Sequence, residues 1–221
     1  MGELRKKAYW SQFATVYDEG VDYVVGRSLR LAVSSRLARE RHLGEVLECG
    51  CGTGFYTKVI AGHADRVTAT DISPEMLDIA RHNLASHGNI AYCKVAAEEI
   101  PFSPRTFDTI LLANILNTVP DPIKVLHECF YALKYNGQLI VIAYTDYGMA
   151  NGAKADLGLR YFQKFGLPPA WGLQNFRPDE LRNQVEQTGF RIRSIKTLGE
   201  GPKALYLRSV KVIRSESHLL A

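Results

Sequence analysis

Long apolar runs are missing from these 221 residues. No segment approaches the roughly 20 consecutive apolar residues that a membrane-spanning helix needs, so no integral membrane segment is expected. Blocks of like charge are missing too. The 27 basic and 23 acidic residues, net +4, are spread along the chain, without the tail or stripe that grips a nucleic acid. Cysteine is scarce: Cys49, Cys51, Cys93 and Cys129 all lie in apolar segments. A chain of this size has no need of disulfide staples, so the expectation is reduced thiols in a cytoplasmic protein. No metal site is expected, because Cys49 and Cys51 would point to opposite faces around a strand end. Internal repeats and low-complexity tracts are absent, and the opening MGELRKKAYW carries charge with no apolar stretch behind it, so no secretory leader is expected.

What is present is 46% hydrophobic residues, enough for a sizeable core. Apolar runs of strand length alternate with helical patterns, which predicts βα units around a parallel sheet. Helical spacing of Leu29, Val33 and Leu37 predicts a helix over Ser28–His42, with Arg30, Arg36 and Arg39 on other faces. Strands are expected at Glu45–Cys49, at RVTAT ending at Asp71, and at IAYCKV, FDTILLA and QLIVIAY. Ser73-Pro74 and Asp121-Pro122 each supply a cap and a first helical residue, and the second of these helices should stop near Asn136-Gly137. Beyond the fifth strand, Thr145–Arg177 shows no strand pattern and many aromatics. Then come a helix in PDELRNQVEQTG, a hairpin formed by FRIRSIKTL and KALYLRSVKV, and a tail, SESHLLA, without structure.

The segment VLECGCGTGF places Gly50, Gly52 and Gly54 directly behind a strand that carries Glu48. A strand running into a glycine-rich turn and then a helix presents backbone N–H groups and lets a ligand lie against the main chain. Asp71 closes the next strand about 20 residues on, the distance at which such folds reach a ribose diol. The spacing is G-x-G-x-G rather than the G-x-G-x-x-G of dinucleotide sites, which disfavours NAD.

At this point the chain resembles the class I S-adenosylmethionine-dependent methyltransferases, in particular their small-molecule, type 11-like branch. VLECGCGTG is similar to the family's first motif, VTATDISPEML to its ribose-binding strand end, and AAEEIPFSPRTFD to D-A-E-x-L-P-F-x-x-x-x-F-D. The segment from Leu111 to Val141 resembles the fourth strand, helix and fifth strand, with KYNG where KPGG is usual. The resemblance implies an α/β, Rossmann-like, doubly wound seven-stranded sheet in order 3-2-1-4-5-7-6 with strand 7 antiparallel. It also implies one domain over 1–221, with an N-terminal helical segment 1–43 and a lid-like insertion 145–177.

S-adenosylmethionine is the implied cofactor. Gly50, Gly52 and Gly54 would lie under its methionyl part, Glu48 would serve its ammonium and Asp71 its ribose. Ile72 would flank the adenine, with Ala97 and Glu98 at its edge, and Met76 on the capped helix is a further cofactor-binding candidate. The backbone carbonyl of Asn114 and the ring of Tyr17 would close the methionyl end. Ala96 stands where the family commonly has an adenine-binding aspartate, and Asn117 where many relatives have a histidine; an amide cannot act as a base at neutral pH. Candidate catalytic groups are Tyr17, Asp146 and Tyr147.

Aromatics gather in the N-terminal segment (Tyr9, Trp10, Phe13, Tyr17, Tyr23) and after the fifth strand (Tyr144, Tyr147, Tyr161, Phe162, Phe165, Trp171, Phe176). Such walls suit a small apolar or aromatic acceptor. A phospholipid N-methyltransferase is one alternative, suggested by VPDP and YDEGVDYVVGR. A tRNA or rRNA methyltransferase is another, disfavoured because LLANILNTV replaces the N-P-P-[YF] motif of enzymes that bind a flipped base. A monomer or homodimer is expected.

Overall fold

The computed structural model describes residues 2–212; the SESHLLA tail lies outside them. Seven strands form one sheet: β1 (Glu45–Cys49), β2 (Arg66–Asp71), β3 (Ile90–Lys94), β4 (Phe107–Ala113), β5 (Leu133–Thr145), β6 (Phe190–Leu198) and β7 (Lys203–Lys211). Their order is β3-β2-β1-β4-β5-β7-β6, as expected. β1, β2, β3, β4 and β5 pair in parallel, and β7 runs antiparallel to both neighbours.

Alternation along the strands splits the core into two layers. On one face Leu47, Ile110, Leu112, Val141 and Leu207 pack under α6 (Pro122–Ala132) and α8 (Pro178–Gln187). On the other, Val46, Leu111, Ile140, Ile142 and Tyr206 pack under α3 (Arg27–Leu37) and α4 (Thr57–Ala61), with Leu77 from α5 (Pro74–Asn83) in the same layer. The central strands are apolar on both faces because helices cover both.

The predicted caps form. Ser73 Oγ accepts from Met76 N at 3.2 Å and starts α5, and Asp121 Oδ1 accepts from Lys124 N at 3.0 Å and starts α6, each with proline at the next position. Two helix ends differ from expectation. α3 stops at Leu37 rather than His42 because the chain turns to bury Glu40 among Arg36 (2.8 Å), Arg208 (3.2 Å) and the Tyr206 hydroxyl (3.0 Å). α6 stops at Ala132, and Leu133–Gly137 already belong to β5. A register shift against β4 there absorbs Asn136, whose φ is +61°.

The N-terminal segment comprises α1 (Gly2–Ser11), a 3-10 turn (Ala14–Val16), α2 (Tyr17–Val21) and a π turn (Asp22–Gly26). Beyond β5, where no strand pattern was found, stands α7 (Asn151–Phe165), in which Phe165 alone is fully buried. Phe165 packs on Phe13 and Tyr17, and the Tyr9 and Tyr161 hydroxyls meet at 2.7 Å, so α7 and the N-terminal helices face one another across the sheet's C-terminal edge.

Candidate active site

β1 delivers its chain into the glycine loop at the carboxyl end of the sheet, the place where open α/β sheets bind ligands. All three loop glycines have positive φ: Gly50 +71°, Gly52 +54° and Gly54 +87°. They do different jobs. A Cβ on Gly50 would lie 2.6 Å from Ile115 Cδ1, and one on Gly54 would lie 2.7 Å from Leu84 Cδ1, so both are pinned by packing. At Gly52 the nearest atom would be Tyr17 Cε1 at 3.6 Å, and the open side of that residue faces a cleft.

Three adjoining cavities meet at this edge. The cleft is lined by Gly50, Gly52, Asp71, Ile72, Met76, Ala97, Glu98 and Asn114. Behind it, an inner cavity is lined by Glu48, Gly50, Gly52, Arg30, Tyr56 and Tyr144. The third is a largely apolar cavity of about 380 Å³ between the N-terminal helices and α7, walled by Val21, Val24, Leu157, Phe162, Phe165 and Leu173 among others. Tyr17 and Asn114 line all three.

Asp71 lies at the end of β2, buried, with its carboxylate accepting Gly52 N (2.9 Å) and Ser73 N (2.9 Å). Burial raises its pKa, opposed by those backbone donors. These donors, with the Ile72 amide nearby, do not exhaust the roughly four acceptor sites of a carboxylate, which keeps capacity for a ligand. Glu48 is 1% exposed and its Oε2 has no hydrogen-bond partner. Burial pushes its carboxyl up to about 8; the Thr57 hydroxyl beside it opposes the rise and the Asp71 charge adds to it. A buried, unpaired carboxyl oxygen facing a cavity suits a ligand donor.

Asn114 follows β4 with φ +60°. Its N–H donates to Ile142 O (2.8 Å) and its Oδ1 accepts Tyr144 N (2.9 Å), which fixes the end of β4 to β5. Asn117 Nδ2 donates to Tyr144 O (3.0 Å) and Gln174 O (2.8 Å), so this residue serves as a brace. Tyr144 is held at both backbone groups, and its hydroxyl meets that of Tyr56 at 2.8 Å.

Of the other sequence candidates, Gly54 lines none of the three cavities, and neither does Tyr147, which is exposed beneath Arg177. Asp146 lines the apolar cavity, where it accepts from Asn175 and pairs with Lys154 at 3.3 Å.

Sequence reasoning missed Arg30, whose helical position put it on a polar face. It is 2% exposed, held by Asp18 and Asp22 and stacked 3.7 Å from the Phe55 ring centroid, and it lines the inner cavity. The signal available was the pair of acids four residues apart just upstream. Asp18 also accepts from Thr53 Oγ1 at 2.8 Å, tying the N-terminal segment to the glycine loop.

Known proteins resemble this chain in sequence and in fold. A family model described as "Methyltransferase domain" matches residues 47–141. The chain is 32% identical over 178 residues to a demethylmenaquinone methyltransferase of Tropheryma whipplei, covering 73% of this chain and 72% of that protein. It is 30% identical over 166 residues to a ubiquinone biosynthesis O-methyltransferase of Xanthomonas euvesicatoria, covering 74% and 68%. Among solved structures, a Haemonchus contortus phosphoethanolamine N-methyltransferase bound to S-adenosylhomocysteine superposes with a TM-score of 0.71 at 14% identity, over 94% of this chain and 60% of that one.

Proposed function

The chain belongs to the class I S-adenosylmethionine-dependent methyltransferases, and from that premise we propose that it transfers the methyl group to a small apolar or aromatic molecule held between α7 and the N-terminal helices. The observation that carries this reading is the cavity of about 380 Å³, inside the usual range for small-molecule sites, which shares Tyr17 and Asn114 with the cofactor cleft. That relatives of about 30% identity are named as a demethylmenaquinone methyltransferase and a ubiquinone biosynthesis O-methyltransferase supports an acceptor of this kind.

The residues present fit the cofactor. The unpaired Oε2 of Glu48 suits a methionyl ammonium, with the Asn114 carbonyl as a second acceptor. Arg30, a buried cation on the same cavity, suits the methionyl carboxylate. The spare acceptor sites of Asp71 suit ribose hydroxyls, and Ile72, Met76, Ala97 and Glu98 form the adenine wall. When bound, the sulfonium supplies an activated methyl group. The chain's own task is to align a nucleophile with it and keep water out. Tyr17, which lines all three cavities, and Trp10, which lines the cleft and the apolar cavity, close the junction between donor and acceptor, and α7 with the 145–177 segment serves as the lid.

Incubation with methyl-labelled S-adenosylmethionine and a metabolite extract tests the proposal. Label should appear in an organic-extractable aromatic or apolar product. Label confined to RNA or to phospholipid headgroups would overturn it.

A further inference from the structure

The donor cavities and the acceptor cavity meet at few residues. Tyr17, Val21, Asn114 and Tyr144 line both the inner cavity and the apolar one, and Trp10, Tyr17, Asn114 and Thr118 line both the cleft and the apolar one, so the side chains between donor and acceptor are drawn from these six residues. None of them is a carboxylate, an imidazole or an amine. Among the described residues, no histidine lines any of the three cavities.

The charged and titratable groups around the junction are accounted for. In the acceptor cavity they are the tyrosines 17, 144 and 161 and the pair Asp146–Lys154. Asp146 is absent from both donor cavities, and its carboxylate is already engaged by Lys154 and Asn175. In the inner cavity stand Arg30, Glu48, Cys51 and Tyr56, and in the cleft Asp71 and Glu98; none of these reaches the acceptor cavity. The tyrosines hold their protons: burial pushes the phenols of Tyr17 and Tyr144 far up and that of Tyr56 up to about 12.

We propose that the acceptor is an acidic phenol, its hydroxyl conjugated to a carbonyl or similar electron-withdrawing group, which enters the site already ionised, so that the chain supplies alignment and no base. This rests on the small-molecule reading above and deepens it. A neutral amine would carry the sulfonium's positive charge over to the acceptor cavity, whose one carboxylate, Asp146, is already engaged by Lys154 and Asn175. An aliphatic alcohol would arrive with a proton that nothing there can take. A phenolate spreads its charge over a ring, which the aromatic walls (Trp10, Tyr161, Phe162, Phe165) accommodate, and the sulfonium attracts it. The phenol loses its proton to bulk water before binding. Its oxygen, or the ring carbon that shares its charge, then forms the bond to the methyl carbon. The methyl–sulfur bond breaks with its electron pair on sulfur, leaving a neutral thioether; on the carbon route the ring proton leaves to water afterwards.

The test is a pH–rate series on the intact protein with S-adenosylmethionine and a set of para-substituted phenols of graded acidity, together with benzyl alcohol, benzylamine and thiophenol. The inflection of kcat/KM should move with the acceptor's own pKa from one phenol to the next. At pH 6 a phenol of pKa near 7 should react roughly thirtyfold or more faster than one near 10, since about a thousandfold gain in ionised fraction is partly returned as lower nucleophilicity. Asp146→Asn should leave every inflection in place. One inflection common to all phenols, or one abolished by Asp146→Asn, would show a base in the protein and overturn the proposal, as would preference for the alcohol, amine or thiol. No methylation of any compound, with cofactor binding intact by calorimetry, would overturn the small-molecule reading together with this one.

Discussion

Gly52 donates its backbone N–H to the Asp71 carboxylate at 2.9 Å, so the residue proposed for the cofactor's ribose is also a strut of the loop proposed to carry its methionyl chain. Ribose contacts alone would be lost equally from ground and transition states, raising KM and sparing kcat. The strut changes that expectation. Asp71→Ala deletes the carboxylate offered to the ligand and leaves the Gly52 and Ser73 amides without their partner, each worth about 1–3 kcal/mol when buried. Calorimetry should show S-adenosylhomocysteine binding about 10- to 100-fold weaker, and kcat should fall as well. Unchanged affinity would remove Asp71 from the site.

Glu48 links pH to both stability and binding. Its folded carboxyl lies near 8 against an ordinary value of 4.5, so the folded state holds the proton more tightly than the unfolded chain. The stabilisation is complete below about 4.5 and is lost as pH rises towards 8. Glu48→Gln should therefore melt above the wild type at pH 8.5, and the gap should close by pH 5, each kcal/mol appearing as about 2–4 °C. A positive ammonium arriving beside Glu48 favours its ionised form, so cofactor binding at pH 7 should release a proton from the wild type that the Gln variant, having no carboxyl, does not release, counted by calorimetry in buffers of differing ionisation enthalpy. Equal proton release from both proteins would remove Glu48 from the ammonium site.

The glycine loop predicts two phenotypes. Gly52→Ala should cost about 1–2 kcal/mol for a left-handed alanine while its methyl projects into the cleft, so melting falls a few degrees and cofactor binding collapses. Gly54→Ala adds a collision with Leu84 to the same backbone cost and should lower the melting temperature much further. Paired thermal melts and binding titrations separate the two. Strong cofactor binding by Gly52→Ala would move the methionyl path elsewhere.

Local signals carried most of the sheet. Glu45–Cys49 and Phe107–Ala113 were bounded to the residue because each is an apolar run between polar or glycine punctuation, and Ser73-Pro74 and Asp121-Pro122 state their helix starts in two residues. What was illegible depends on partners distant in sequence. Glu40 leaves the helical pattern because Tyr206 waits 166 residues away. α7 has little buried apolar face to announce it, since it closes over a cavity instead of a core. G-x-G-x-G reads as one motif, yet only the structure shows that Gly50 and Gly52 line the cleft, that Gly54 does not, and that Ile115 and Leu84 leave no room for a Cβ at Gly50 and Gly54.

Gly20 offers a test of the proposed lid that leaves the proposed cofactor site untouched. A Cβ there would come within 2.7 Å of the Phe165 ring, the one fully buried side chain of α7, so the missing methyl is what lets α7 seat on α2. Gly20 lines none of the three cavities. Gly20→Ala should displace Phe165 and open the acceptor cavity. Helix propensity favours the alanine by about 1 kcal/mol, so the fold itself should survive. Limited proteolysis should cut the variant faster within 145–177. In the wild type, cofactor with acceptor should slow that cleavage, as ligands that close a lid do. Affinity for S-adenosylhomocysteine should hold within about threefold while KM for the acceptor rises. If the alanine variant were cut at the wild-type rate and kept its acceptor KM, α7 would not be a lid, and the seat of Phe165 on Gly20 would be simple packing.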